Sequence, residues 1–343
     1  MDVETRSLSR GRKKHSSKAR RGPTMADLAK AAGVSKITVS RALAGSDLVS
    51  PDTRERIKRV AREQGYKLNV SARNFRQQRS QLVAVIVEMT PSSDRTMLDP
   101  YPLSLLGGIS QELAEAGYGV LLTTRQGMLE STVLTADGVI LLGQGVNQDS
   151  VKLCNDLGVP LVVWGAAKEG DSHPVVGSDN AQGGASVAEH FLSLGRRHPV
   201  FIGDSDHLEV AQRLLGFVNR LAEHGVKPFF SKRVGWTMDS GAEAVRSLID
   251  RNMHFDAVFA GSDLLAMGAI RGVEERGWKV PTDVSVAGYD NIPLGAAFTP
   301  PLTSVRQNWH EGGALLARKV LALIEGQPAA SQKMPTELIV RQT

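Results

Sequence analysis

From residue 82 onward the chain alternates continuous apolar runs with amphipathic stretches, and no other feature restricts its fold as tightly. Residues 82–87, 119–122, 138–142, 160–163, 200–202 and 257–259 are apolar throughout rather than at every second position, and 284–287 is apolar but for Ser285. That pattern predicts strands buried on both faces. Helices between several of them are expected to end at Gly117, Gly195, Gly225 and Gly277, because the left-handed residue that closes a helix costs glycine least. Strands alternating with helices imply parallel, doubly wound sheets, so this part reads as α/β. Such sheets take ligands outside the carboxyl ends of their strands. The stretch 125–136 is short for the helix expected before the strand at Gly138.

Charge divides the chain at nearly the same place. Residues 1–79 carry 20 Lys/Arg against 7 Asp/Glu, and residues 80–343 carry 21 against 29. The basic excess begins in residues 1–23, which hold eight basic and almost no apolar residues and are expected to be a disordered tail. As a solvated tail it either adds salt-sensitive attraction to DNA or is dispensable. The excess then continues into a segment of helical periodicity, where a polyanion is the simplest partner. The acidic remainder argues against general coating of nucleic acid. Cys154 has no second cysteine to pair with, which points to a reducing cytoplasm and an inert buried thiol. No apolar run approaches the roughly 20 residues of a membrane span, and the basic N-terminal stretch lacks the apolar core of a secretory signal.

Within the basic part, Thr24-Met25-Ala26-Asp27 reads as a capping box opening a first helix, with Met25, Leu28, Ala29 and Ala32 as its apolar stripe. Gly33 ends it, and Ser35 is expected to cap a second helix, Lys36–Leu43, that buries Val39, Ala42 and Leu43. Lys36, Ile37, Ser40 and Arg41 are left outward. Ser50, Pro51 and Gly65 mark the ends of a third helix. Three short helices with a Gly-containing first turn fit a helix-turn-helix or a generic three-helix bundle.

The run MADLAKAAGVSKITVSRAL from Met25, followed by VSPDTR from Val49 and by Gly65-Tyr66, resembles the headpiece of the lactose-repressor/galactose-repressor (LacI/GalR) family. The resemblance extends through RLLGF from Arg213, VFAGSDLLAMGA from Val258, DVSVAGYD from Asp283 and PLTSVRQ from Pro301, and covers nearly the whole chain past the tail. It implies an N-terminal all-α helix-turn-helix headpiece (24–68), a hinge helix (69–80) and a two-lobed periplasmic-binding-protein-like domain (81–343). By position, Lys36, Ile37 and Arg41 would read base edges beside Thr38, while Thr24, Ser35, Ser40 and Ser50 would hold phosphates. In the hinge, Asn69, Ala72, Arg73 and Phe75 would meet the minor groove. Phe75 replaces the usual inserted leucine there, and Leu68 stands where the family has proline.

The same resemblance puts a small effector between the lobes. Arg213, Asp263 and Gln307 would bond its hydroxyls, and Trp236, Trp309, Trp164 and Tyr101 would wall it. Asp263 also reads as a residue that merely starts a helix, and Trp164 and Tyr101 equally as core. The expectation is a cytoplasmic, homodimeric, sugar-controlled repressor on a pseudo-palindromic operator, with no cofactor, metal or membrane partner. A purine or nucleoside corepressor, or ligand binding without allostery, stays open. Several acidic and amide groups in the cleft would favour a sugar, and two parallel aromatic planes a base. Scattered histidines and the absence of phosphate-loop, nucleophile-elbow or dinucleotide signatures argue against an enzyme. Gly143-Gln144-Gly145 reads as a chance pairing, and Asp204-Ser205-Asp206 as a solvated turn.

Overall fold

The computed structural model describes residues 23–43, 46–66, 79–88, 100–130, 133–231 and 233–343. The expected tail and the hinge residues Asn69, Ala72, Arg73 and Phe75 lie outside the described residues. The chain forms two units, 1–76 and 77–343.

The first unit is three helices, α1 (Met25–Ala31), α2 (Lys36–Leu43) and α3 (Pro51–Glu63), around Leu28, Val39, Ala42 and Ile57. The capping box forms in full: Thr24 N donates to Asp27 at 2.8 Å, and the Asp27 amide donates to Thr24 Oγ1 at 3.4 Å. Ser35 Oγ accepts from the Thr38 amide at 3.1 Å and so caps α2. Ser50 stands before Pro51 as expected, but its hydroxyl bonds Thr53 Oγ1 at 2.9 Å rather than capping a backbone amide.

The second unit holds two six-stranded sheets. One has the order β11-β5-β4-β3-β1-β2 and the other β12-β10-β9-β8-β6-β7. Here β1 is Leu82–Val87, β2 Gly119–Thr124, β3 Gly138–Leu142, β4 Leu161–Trp164 and β5 Val175–Ser178. In the second sheet β6 is Pro199–Ile202, β7 Phe229–Ser231, β8 Ala257–Ala260, β9 Ser285–Asp290 and β10 Thr303–Arg306. The short strands β11 (Gln332–Met334) and β12 (Glu337–Ile339) come last. All pairings are parallel except β10 with β12. Each sheet reverses strand order once, between β1 and β3 and between β6 and β8, and these reversals open the crevices where doubly wound sheets bind ligands.

Most predicted strands are present with both faces buried. The exception is β2, an edge strand with Gly119 and Leu122 exposed. Gly117, Gly195, Gly225 and Gly277 all take positive φ at helix ends. No α-helix occupies the described part of 125–136, only the short turns Arg125–Gly127 and Val133–Thr135. Among the described residues no helix is long and apolar enough to cross a membrane, and no three His, Cys, Asp or Glu gather as a metal site.

Three helix pairs cover the sheets, and each crosses backbone against backbone at glycines. In the first lobe, Pro100–Glu115 packs on Trp309–Ile324. A Cβ on Gly108 would fall inside the His310 carbonyl, and one on Gly313 inside that of Leu105. In the second lobe, Asn180–Ser193 meets Leu208–Ala222 at Gly184 and Gly216, and Met238–Asp250 meets Asp263–Glu274 at Gly241 and Gly268. Glycine inside a helix costs about 1 kcal/mol relative to alanine, and here it permits axial distances that no other residue allows.

The chain passes between the lobes three times: after β5, after β10, and between β11 and β12. The first and third passages are tied at Asp179. Its amide donates to the Met334 carbonyl at 2.8 Å, and its carbonyl accepts from Thr336 Oγ1 at 3.3 Å.

Candidate functional sites

The outward faces of α1 and α2 make one concave surface, lined by Thr24, Met25, Ala26, Lys36, Ile37, Ser40 and Arg41. Its shape follows from α2 burying only Val39 and Ala42 fully, with Ile37 left 63% exposed between two cations. An apolar side chain so exposed among charges, beside a bidentate-capable guanidinium, suits a DNA groove edge. Thr24, Ser35 and Ser50 bond neighbouring side chains, so their hydroxyls already serve the fold. Thr38 is half-buried beside Ser35, and Ser50 is not part of the concave lining.

The second site is the cleft between the two sheets of the second unit, at the carboxyl ends of their strands. Counting the open space at its mouth, the cleft holds about 890 Å³. Glu88 enters directly after β1, Gly143–Gly145 after β3, Trp164 at the end of β4, Ser262 after β8 and Asp290 at the end of β9. Tyr101, His207, Glu209, Arg213, Trp236 and Gln307 complete the polar and aromatic lining.

Arg213 is 6% exposed and firmly seated. Its Nε donates to Asn180 Oδ1 at 2.9 Å, its Nη1 donates to the Gly261 carbonyl at 2.6 Å, and its guanidinium lies 3.8 Å over the Tyr289 ring. Gln307 Nε2 donates to Asp290 Oδ1 at 2.7 Å. Asp290 and Asn291 both take positive φ, 117° and 54°, a strained turn that must be held from behind. Ser304 Oγ accepts from the Asn291 amide at 2.9 Å, and Arg341 Nη2 donates to Asn291 Oδ1 at 2.7 Å.

Sequence reasoning put Asp263 and Trp309 in the pocket, and neither is in the lining. Asp263 is 1% exposed. Its oxygens accept from Ser304 Oγ at 2.5 Å and from the Ile292 amide at 2.7 Å. It therefore props the Asp290–Asn291 turn, and the N-cap of its helix is Ser262. Trp309 is 7% exposed and backs Tyr101 edge-on, with ring centroids 5.8 Å apart. Asp290 was missed, although a carboxylate ending a parallel strand is the signal that should have found it. Glu88 was missed as well. It follows β1 directly, pairs with Arg125 at 3.0 Å and accepts from Ser150. Cys154 is fully buried, which pushes its thiol up to about 12. An inert thiol was expected there.

Burial raises the Asp263 carboxyl from 3.8 to about 7, against the pull of the Ser304 and Ile292 hydrogen bonds and of Arg341 and Arg213. The folded chain thus holds this proton more tightly than the unfolded chain does. The stability it contributes is present at low pH and is lost as pH rises from about 4 through about 7. Asp263→Asn can accept from Ile292 and donate to Ser304, so it is expected to flatten that decline. Melting temperatures of both proteins at about pH 5 and about pH 8 check this. An unchanged gap would mean that Asp263 does not titrate there.

Residues 24–69 match the sequence profile of bacterial regulatory proteins, lacI family, and residues 188–343 match that of a periplasmic binding protein-like domain. The HTH-type transcriptional regulator CelR of Thermobifida fusca is 33% identical over 339 residues, covering 94% of this chain and 99% of CelR. The chain belongs to the LacI family. It is a DNA-binding transcriptional regulator of the helix-turn-helix type. The HTH-type transcriptional repressor CytR of Escherichia coli (strain K12) is 32% identical over 332 residues, 93% of this chain and 95% of CytR. Among solved structures, the CelR–cellobiose complex is similar at a TM-score of 0.69 and 31% identity, over 93% of this chain and 99% of that one. The Lac repressor dimer bound to operator and the anti-inducer ONPF shares the fold at a TM-score of 0.83 and 23% identity, over 94% and 99%. This LacI-family member carries the expected headpiece and a two-lobed α/β domain.

Proposed function

We propose that this LacI-family chain is a homodimeric repressor of carbohydrate-utilisation genes, acting inside the cell on a pseudo-palindromic operator and controlled by a sugar held in the cleft. The observation that carries the sugar is the composition of the lining. Glu88, Gln144, Glu209, Asp290 and Gln307 supply five acidic or amide groups. Within the lining, His207 meets Trp236 edge-on at 78° rather than as a parallel stack. Stacked planes would have suited a base, whereas polar groups around isolated aromatic faces suit vicinal hydroxyls and a sugar's C–H surface. The cellobiose in the CelR complex supports the same chemistry for this chain.

In this reading Arg213 offers Nη2 to ligand hydroxyls, since Nε and Nη1 are committed, and Asp290 and Gln307 bond the same end of the sugar. Tyr101, Trp164 and Trp236 cover its apolar faces, while Asp263 and Trp309 act from behind. Gln307 lies beside the second passage between the lobes and Arg213 is held by Asn180 beside the first, so ligand contacts bear on lobe orientation. Sugar and operator would then alter each other's affinity by the same factor. In the headpiece, Lys36, Ile37 and Arg41 would read base edges, with Ser40 on phosphate.

The test is operator binding by fluorescence anisotropy, using fragments selected from genomic DNA, with and without cellobiose, other sugars and nucleosides. A several-fold change with a sugar is expected, and a change only with nucleosides would overturn the carbohydrate reading. Arg41→Ala is expected to lose about tenfold or more on the selected fragment and to relax the preference at one base pair. Equal loss on unrelated DNA would reduce Arg41 to a phosphate contact.

A further inference from the structure

We infer that Gln144 is a ligand-reading donor of the first lobe, built to take an acceptor oxygen of the molecule that Arg213 grips from the second. The inference rests on the cleft reading above and adds the residue that selects the opposite end of the ligand.

Gln144 follows β3 at the strand-order reversal, lines the cleft and is 2% exposed. Its Oε1 accepts from the Ala166 amide at 2.8 Å. Only an oxygen can accept from an N–H, so this bond decides which end of the amide is which. The other end must be Nε2, a group that only donates. Among the described residues Nε2 has no hydrogen-bond partner. A buried, unpaired amide donor costs stability in the ligand-free chain, and most such groups in native proteins are paired.

The surroundings are shaped to keep the side chain in this position. A Cβ on Gly165 would come within 2.5 Å of Gln144 Cδ and 2.6 Å of Cγ, so a glycine there gives the amide its seat against the backbone. Gly143 and Gly145 on either side take positive φ, 93° and 72°. The backbone thus kinks around Gln144 and holds it where the strand ends. The Gly-Gln-Gly triplet that looked accidental in the sequence is what places one fixed donor at the cleft.

The chemistry follows from that fixed polarity. A hydroxyl, ring or glycosidic oxygen satisfies Nε2, whereas an ammonium or another donor leaves it unpaired and is repelled. Sites that bond a ligand's polar group discriminate strongly against ligands lacking it. Gln144 therefore sets specificity at the end of the ligand remote from Arg213.

The test uses full-length protein with cellobiose and, separately, ribose as probes, followed by calorimetric titration. Gln144→Glu keeps the Ala166 bond and replaces the donor with an acceptor. It is expected to weaken binding of whichever probe the wild type takes by about tenfold or more. Burying a carboxyl at this site costs stability, so the variant's ligand-free melting temperature is expected to fall, and binding is compared at a temperature where both proteins are folded. Gly165→Ala, which keeps glutamine but removes its seat, should weaken binding in the same direction and stands in if the first variant does not fold. Wild-type-like affinity in the folded variants overturns the donor role and leaves the cleft reading standing. Failure of both sugars to bind wild type overturns the inference together with the carbohydrate reading.

Discussion

Arg213→Ala is expected to abolish the response to sugar, weakening effector binding by about 100-fold or more while the operator is still bound. Hydrogen bonds to a charged group contribute about 1.5–3 kcal/mol each, and a sugar bonded by Nη2 also loses the neighbouring positive potential. The substitution acts on the ligand-free protein too. It strands Asn180 Oδ1 and the Gly261 carbonyl and uncovers the Tyr289 ring, at a cost of about 2 kcal/mol or more. Arg213→Lys separates the two effects. Its single ammonium keeps the charge but cannot serve Asn180, Gly261 and a ligand together, so most of the affinity should still be lost. Calorimetric titration with the best sugar, alongside melting of each variant, is the measurement. An alanine variant that binds as wild type would remove Arg213 from the site.

The second large effect is a pair of opposite signs at adjacent residues. Gly107→Ala should stabilise the protein by about 0.5–1 kcal/mol, and Gly108→Ala should destabilise it by about 3 kcal/mol or more. Both glycines lie in Pro100–Glu115. A Cβ on Gly107 meets only His310 Nδ1 at 3.6 Å, an ordinary contact. On Gly108 it would enter the backbone of Trp309–Ile324, with Ala314 N at 2.8 Å, and backbone cannot step aside as a side-chain tip can. Denaturant midpoints of the two variants decide it, and equal shifts would mean that the helix crossing is looser than described.

How much of this was legible beforehand depended on the kind of signal. Strands such as Leu82–Val87 and Gly138–Leu142 matched to the residue, because a strand covered on both faces must be apolar throughout. Strands toward the sheet margins carry no such signature: Val175–Ser178 and Thr303–Arg306, each one in from an edge, and the edge strand Gln332–Met334 contain Ser, Thr, Arg, Gln or Lys and escaped notice. The headpiece was legible in its caps and turn glycines, which act over a few residues. The cleft was legible only in part. Asp263 and Asp290 are both acidic residues near strand ends, and what separates them is a strained turn braced by Ser304 and Arg341 from distant segments. Gln144 was unreadable for the same reason, since its polarity is set by Ala166 and its seat by Gly165.

Because the chain passes between the lobes three times, neither lobe is a contiguous stretch of polypeptide. The first sheet waits for Gln332–Met334 to pair with β5, and the second for Glu337–Ile339 to pair with β10. During synthesis the headpiece is free to fold as it leaves the ribosome, about 270 residues before either sheet has its last strand. A nascent chain would thus display a finished DNA-reading surface on an unfinished sensor. Residues 332–339 set the moment at which reading and sensing become joined.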